Sequence, residues 1–399
     1  MDLKALSRNQ LLQTLAYYLG FIGLGLVMVS SGPHLQNLLE HTNATMDAFG
    51  TVFIIASIGF LIGSFVGGHL YDRFKGHLIM AVCFILMAIS MAVMPFIGNM
   101  WIMAGVMMLN GFSMSLVDMG TNTLLTWVHG EKSAPFMNAL HLAFGIGAAI
   151  SPIMIGKIIN ATGDIYWSYW TLAAIMVPLI ILFLSVKSPA IRKAEDASEA
   201  EVASQLNGKK ARATLVILLT TFFLFYVGAE ANFGNFITSY VQKSFPMANE
   251  DIPYLINTLF WGAFTLGRLI GIPITAMWKT GKIISIDMVV CVVAFLPILL
   301  FRNSLVALGA GSILAGLGMA SVFPTMMTYG EQNLRLTARI TSYFYIGISG
   351  ANMFFSWLIA QLFDNQGPFS VMVVLSILVV VQVLLWGMIS RLTMKPQQA

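Results

Sequence analysis

Twelve long apolar runs, separated by short polar breaks, follow one another along this 399-residue chain between Leu11 and Met388. A helix that crosses a bilayer needs about 20 consecutive, mostly apolar residues. The hydropathy breaks predict spans at 11–31, 48–70, 77–97, 101–127, 136–159, 166–186, 213–241, 253–278, 283–301, 304–329, 339–363 and 369–390. Only 10% of the residues are charged and 58% are hydrophobic, with a mean hydropathy of +0.82, against about 25% charged and 45–50% apolar in soluble domains. That composition excludes a soluble enzyme, a nucleic-acid reader and a disordered scaffold. The fold class it implies is an all-α polytopic membrane protein with twelve transmembrane helices.

One long polar segment interrupts the pattern, between Lys187 and Arg212. It divides the chain into an N-terminal six-helix bundle (1–187), a linker (188–212) and a C-terminal six-helix bundle (213–399). Orientation follows from the basic residues, which collect on the cytoplasmic side of membranes. With the N-terminus inside, 17 of the 21 Lys and Arg fall on cytoplasmic segments. Lys157, Lys243 and Arg302 lie on or near the outside, and Arg268 falls within a span. Both termini and the linker are therefore expected to be cytoplasmic. No cleavable signal peptide is expected, because 1–10 is polar and the following run is too long for a signal h-region. The two cysteines, Cys83 and Cys291, lie in apolar runs, which argues against a disulfide framework or a cysteine metal site.

Two halves of six spans suggest an internal duplication, a usual construction for secondary transporters. Gly59, Gly63 and Gly76 are weakly echoed by Gly262, Gly267 and Gly281. Polar residues inside the spans then mark candidate chemistry. In the fourth span Asp118 and Asn122 are one helical turn apart, so they share a face. An ionised carboxyl near the bilayer centre costs at least about 2.5 kcal/mol, and this pair has the oxygens to hold sugar hydroxyls or a small cation. In the seventh span Glu230, Asn232 and Asn235 follow Gly228, and Arg268 ends a Trp261…Thr265…Arg268 row in the eighth. Glu230 and Arg268 are opposite charges in adjacent spans. Trp261 offers an aromatic face to a sugar ring. Gln13, Asn110 and Asn352 are further polar candidates. His141, in the fifth span, reads as a packed or interfacial side chain. The 26 methionines read as adaptable packing, and Asn43-Ala44-Thr45 forms a short glycosylation sequon.

After the second span the chain reads Gly68-His69-Leu70-Tyr71-Asp72-Arg73-Phe74-Lys75-Gly76. This resembles the Gly-x-Leu-x-Asp-Arg-x-Gly-Arg-Arg loop of the major facilitator superfamily at Gly68, Leu70, Asp72 and Arg73, with the order of Lys75 and Gly76 reversed. Gly68 is expected to allow close helix approach, and Asp72 and Arg73 to form a cytoplasmic gate. The Asp118-x-x-x-Asn122 pair, the run Ala139-Leu140-His141 with Phe144-Gly145 and Ser151-Pro152, and Gly228-Ala229-Glu230 with Gly234 resemble one branch of that superfamily. It is the group of sodium-dependent glucose transporters and fucose–proton symporters. In the fucose symporters a glutamate stands at the position of Asp118, and a further acid in the first span has no counterpart in 11–31 here, which favours the glucose-type relatives.

The resemblance implies the major facilitator fold and cation-coupled symport of a hexose-like sugar by alternating access. Asp118 and Asn122 would couple the ion. Asn122, Glu230, Asn232, Asn235, Trp261, Arg268, Gln13 and Asn352 would bind the sugar, and Gly68, Asp72 and Arg73 would gate. The coupling ion is sodium or a proton, with no other cofactor and no metal beyond a sodium at Asp118. The expected partners are a small-molecule solute and the lipid bilayer, without nucleic acid, and the protein is expected to be a monomer in a bacterial cytoplasmic membrane. A proton-driven exporter of drugs or small solutes on the same fold is the alternative, although no acid lies in the first or fifth span as it would require. No nucleophile–base set or metal cluster surrounds any of the six histidines, so no enzyme is expected.

Overall fold

The computed structural model describes residues 7–191, 209–334 and 338–393. The described residues form α-helices with short 3₁₀ turns and contain no strand. In chain order the helices are α1 (Arg8–Val29), α2 (Ser31–Thr42), α3 (Met46–Tyr71), α4 (Gly76–Val93), α5 (Met100–His129), α6 (Ala134–Thr162) and α7 (Tyr166–Ser185). They continue with α8 (Lys209–Ser244), α9 (Ile252–Met277), α10 (Thr280–Leu300), α11 (Leu305–Ala320), α12 (Val322–Leu334), α13 (Ala338–Gln366) and α14 (Ser370–Thr393). Twelve stretches among the described residues are long and apolar enough to span a membrane, as the hydropathy runs predict. Two of the expected spans are built differently. The first run continues past Ser30 into α2, and the tenth is broken at Ser321 into α11 and α12. Most of the linker expected over 188–212 lies outside the described residues.

Helix starts follow local chemistry. Ser7 caps α1 in a reciprocal box with Gln10, its hydroxyl taking the Gln10 N–H and its own N–H bonding Gln10 Oε1 at 3.0 Å. Such boxes satisfy two N–H groups that have no partner in the first turn. Asn99 Oδ1 receives the N–H of Trp101 and Ile102 at the head of α5, and Ser304 caps α11 through Ala307 N–H. At the end of α2, Asn43 adopts the left-handed conformation (φ 48°), which asparagine tolerates better than most residues.

The chain divides into two compact units. One is formed by the described residues of Met1–Asp196 together with Ala248–Thr258, the other by those of Ala197–Met247 and Leu259–Ala399. Within the first, α3 packs on α5 and α1 on α6, with α4 on α7. Small residues carry the first two contacts. A Cβ at Gly59 would run into the Met108 carbonyl and one at Gly111 into the Ala56 carbonyl, while Gly63 would meet Phe112 O at 2.6 Å. Between α1 and α6, Gly25 faces the Phe144 carbonyl and Gly147 the Ile22 carbonyl, and Ser151 Oγ donates to Leu26 O at 2.7 Å. Lipid offers no hydrophobic drive between helices, so backbone approach of this kind supplies the dispersion contact that holds them. Ala248–Thr258 joins this unit through exposed contacts, with Asn160 Nδ2 donating to Asp251 Oδ1 at 2.8 Å and Lys157 pairing with Asp251 at 3.6 Å. Tyr254 also packs on Gly156.

The second unit repeats the scheme. On the α9–α11 contact, Gly316 faces the Phe260 carbonyl and Gly267 abuts Ala320. On the α8–α13 contact, Gly347 would meet Thr220 O at 2.6 Å and Gly228 sits under the Phe355 ring. The repeat is therefore physical, though carried by other glycines than the expected echo. Gly63 and Gly267 correspond as tight contacts, but Gly262 faces open space. The stronger correspondence is Gly111 with Gly316, on the fifth and eleventh helices.

On α2, His34 is fully buried. Its Nδ1 bonds Ser30 O at 2.9 Å and its Nε2 bonds Ser168 Oγ at 2.7 Å, while its ring stacks on Tyr169. Burial pushes His34 from its usual 6.5 down to about 4, so it is neutral at pH 7. The unfolded histidine takes up a proton below about 6.5 and the folded one does not, so stability is lost as pH falls through that window. Between pH 6.5 and 4, Tm should fall more steeply in the wild type than in His34→Gln, as read by thermal unfolding at a series of pH values. In the α3–α5 seam, Gly59→Ala should cost about 1–3 kcal/mol through overpacking. Gly262→Ala, with room for its methyl, should stay within about 0.5 kcal/mol of wild type. Thermal unfolding of the detergent-purified variants separates the two.

Candidate functional site

In the first unit the carboxyl–amide pair lies on one face of α5, as the spacing predicts. Asn122 Nδ2 donates to Asp118 Oδ1 at 3.2 Å and to the Asp118 carbonyl at 2.8 Å. Both side chains are half-buried. With the amide nitrogen turned to Asp118, the two remaining side-chain oxygens, Asp118 Oδ2 and Asn122 Oδ1, have no partner among the described residues and are available to a cation or to hydroxyl donors. The backbone behind the pair is held from α3. Tyr71 donates its hydroxyl to Leu116 O at 2.9 Å and lies against Gly120, where any side chain would displace it. Ser64 and Ser115 bond each other at 2.8 Å, one turn before Asp118 on α5.

Gln13 is placed differently from the other candidates. It is buried, and its Nε2 donates to the Lys187 carbonyl at 2.8 Å, tying the start of α1 to the segment after α7. It belongs to a polar cluster at that end, where Gln10 Nε2 donates to Val128 O and Thr14 bonds His129, which stacks on Phe136 at 3.5 Å. His77 joins it, bonding Tyr17 and the Val186 carbonyl. Of the residues expected to gate, Asp72 caps the end of α3, its N–H donating to Gly68 O. Asp72 and Arg73 are both exposed, and neither forms an ion pair among the described residues. Gly68 does not make the close approach expected of it, since a Cβ there would meet Met119 Cε at an ordinary 3.7 Å. Its neighbour Gly67 does, against Met119 Sδ at 2.7 Å. One residue along a helix is a rotation of about 100°, which turns Gly68 away from α5.

In the second unit, α8 and α9 carry the other cluster. Glu230 and Tyr226, one turn apart on α8, share a side-chain hydrogen bond, and Arg268 of α9 lies within electrostatic reach of both. The Tyr226 hydroxyl also reaches Met319 O at 2.9 Å. The Arg268 guanidinium covers the Phe264 ring at 4.4 Å. Glu230 and Arg268 are half-buried.

Four expected sugar contacts sit in different surroundings. Asn232 is fully buried, with Nδ2 donating to Gly228 O at 2.8 Å and Oδ1 accepting from Ser356 Oγ of α13 at 2.6 Å, so its amide joins two helices. Trp261 is only 6% exposed, and its indole is wedged on Gly234 beside Phe260 and Phe264. Its Nε1 is buried with no partner among the described residues. Asn235 is half-buried with no hydrogen bond among the described residues, and Asn352 is half-buried with Oδ1 enclosed and unpartnered. Tyr226 escaped the sequence reading, although its spacing of four residues from Glu230 is the helical neighbour rule that pairs Asp118 with Asn122. Asp287, an acid within the ninth span, escaped it too.

This geometry, two units of apolar membrane-length helices each carrying a half-buried polar cluster, agrees with the comparisons with known proteins. The family model of the Major Facilitator Superfamily matches residues 14–356. The chain belongs to the major facilitator superfamily. Sodium-dependent glucose transporter 1A of Mus musculus is 27% identical over 84% of this chain and 86% of its own length. Sodium-dependent glucose transporter 1 of Danio rerio is 29% identical over 92% and 67%, and the human major facilitator superfamily domain-containing protein 4A is 26% identical over 92% and 89%. Among solved structures, the nucleoside transporter NupG superposes with a TM-score of 0.72 at 13% identity, covering 98% of this chain and 100% of that one. A bacterial homologue of the lysosomal transporter Spinster superposes at 0.70 and 12% identity, covering 98% of each chain. These likenesses establish a multi-pass transporter fold.

The two asparagines of α8 can be told apart by stability. Interhelical hydrogen bonds in membranes average about 0.6 kcal/mol and reach about 1.7. Asn232→Ala should therefore lower Tm measurably, because it also strands Ser356 Oγ, whereas Asn235→Ala should leave Tm unchanged.

Proposed function

We propose that this protein is a secondary active symporter, coupling the entry of sodium or a proton to that of a hexose-like sugar by alternating access. The observation that carries the reading is the Asp118–Asn122 pair, which keeps two unpartnered oxygens on one face of an apolar helix. A carboxylate held at that depth without an ion or proton is costly, so its occupancy is tied to what it binds. The curated relatives named as sodium-dependent glucose transporters support the sugar and the ion, at 24–29% identity. Glu230, Arg268, Asn235 and Asn352 supply the mixture of acceptors and donors that a polyhydroxylated solute requires.

In this reading cation binding at Asp118 favours the state that takes up sugar, and release on the other side lets the empty carrier return. Asp72 and Arg73 gate the cytoplasmic side. The basic residues, 17 of 21 on one set of connections, support a cytoplasmic location for both termini, and a chain with short loops fits a bacterial cytoplasmic membrane. The protein acts as a monomer, its bundles being 1–187 and 213–399 with 188–212 as the linker.

Labelled glucose uptake into proteoliposomes tests the proposal, comparing an inward sodium gradient with potassium replacement at fixed pH, and then an inward proton gradient. Accumulation above equilibrium with either gradient is expected. Asp118→Asn should abolish accumulation while sparing sugar exchange, and normal accumulation by that variant would remove Asp118 from the coupling role. Efflux driven by an inward proton gradient would instead indicate an exporter.

A further inference from the structure

The tenth span is broken at a position that draws in an acid the symport reading does not use. Helices α11 and α12 meet at Ser321, and Pro324 lies in the first turn of α12. Proline has no N–H for the carbonyl four residues back, and its ring crowds that carbonyl, so the helix is weakened between Ala320 and Pro324. At the break the Ser321 N–H turns to Met319 O, and its hydroxyl donates to Asp287 Oδ2 of α10 at 2.5 Å. Asp287 is 8% exposed, and no basic side chain pairs with it among the described residues.

One turn beyond Ser321, on the same face of α12, stands Thr325. It is 2% exposed, and its hydroxyl has no partner among the described residues. A threonine inside a helix ordinarily donates to the carbonyl four residues back, as Thr121 and Thr328 do here. Thr325 does not, although the backbone carbonyl of Ser321 is in register. Because α10 packs against α12, a carboxylate, a serine hydroxyl and an unpartnered threonine hydroxyl are collected at one buried spot beside a helix break. Hydroxyl and carboxylate oxygens are the ligands of hard cations, and broken helices are where transporters place ion sites.

We infer that Asp287, Ser321 and Thr325 form a binding site for a single monovalent cation, a proton or a sodium ion, in the second unit. A lone buried carboxylate in an apolar helix requires one positive charge for neutrality, and the surrounding groups do not provide it. The ionisable neighbours are Cys291, one turn along α10 and within electrostatic reach of Asp287, Tyr226 of α8, which reaches Met319 O beside the break, and Tyr329 of α12, bonded to Thr393 of α14. None is a cation. The packed part of α14 contributes Trp386, which donates to Ser285 Oγ, and Arg391 lies in its last turn. Lys279 and Lys282 stand at the head of α10, both exposed, with Lys282 over the Trp278 ring. The site also has a mechanical consequence. Met319 O and Ser321 Oγ lie on the two sides of the break, so the tether from Tyr226 and Glu230 and the tether from Asp287 pull on the same joint. A cation at Asp287 competes with the Ser321 hydroxyl for the carboxylate and loosens one of them.

The inference goes beyond the sugar-symport reading and is tested without sugar, on the purified full-length chain. Equilibrium binding of labelled sodium and infrared difference spectra of carboxyl groups between acid and alkaline pH are measured on wild type, Asp287→Asn and Thr325→Val. If the ion is sodium, Asp287→Asn removes one bound sodium and Thr325→Val weakens it at least tenfold, while Asp118→Asn leaves this component in place. If it is a proton, a protonated-carboxyl band disappears at alkaline pH in wild type, is missing in Asp287→Asn and is displaced in Thr325→Val. Sodium binding and carboxyl spectra that match wild type in both variants overturn the assignment. Should Asp287→Asn fail to fold, Thr325→Val, which keeps volume and removes only the hydroxyl, decides alone, an unchanged sodium affinity and an unchanged band counting against the site. If the wild type takes up no sugar yet shows the sodium or carboxyl signal that Asp287→Asn removes, the symport reading is refuted and this one stands.

Discussion

What holds each unit together is the contact of a glycine Cα with a backbone carbonyl on the neighbouring helix. Gly59, Gly111, Gly25 and Gly147 make it in the first unit, and Gly316 and Gly347 in the second. In a bilayer the surrounding lipid is as apolar as leucine, so two greasy faces gain little by meeting. Approach of the backbones themselves is what remains, and only the absence of a Cβ permits it. Every polar group of the candidate sites depends on these seams. Asp118 and Asn122 ride on α5, locked to α3, and Arg268 rides on α9, held against α11 at Gly267 and Gly316.

The architecture was legible because a membrane makes it so. Apolar runs of the right length can only be helices there, and acids within them stand out against the background. The Asp118–Asn122 pair emerged from spacing alone, since four residues is one helical turn and the bond at 3.2 Å is the direct result. Rotation about a helix axis was harder to read. Gly68 belongs to the loop motif, yet Gly67 makes the contact, and no local pattern distinguishes two adjacent glycines without knowing where the neighbour lies. Gln13, Asn232 and Trp261 show the same limit from the other side. Each is a polar or aromatic residue in a span, but what it meets is set by groups far along the chain, Lys187, Ser356 and Gly234. Residue type indicated hydrogen-bonding capacity without indicating whether the fold uses it internally.

The break in the tenth span belongs to a different category. Pro324 announces it, and hydropathy conceals it, because 304–329 is apolar throughout and reads as one segment. Pro152, Pro273 and Pro297 sit inside helices that run on, so a proline by itself does not decide the matter. At Ser321 the difference is that side chains from two other helices, Tyr226 and Asp287, take up groups on either side of the joint. Discontinuity in a membrane helix persists where such partners replace the lost backbone bonds.

Cys83 and Cys291 are both reduced and buried, at 1% and 0% exposure, and each lies in a different unit. A thiol reached only when its surroundings open is a natural probe of that opening. With a dye that fluoresces on alkylation, the native chain stays dark until it melts and needs no introduced label. Replacing one cysteine leaves a reporter confined to the other unit, Cys83 on α4 or Cys291 against Gly318 beside the helix break. The two halves of this molecule can thus be watched coming apart one at a time, by the two sulfhydryls it already carries.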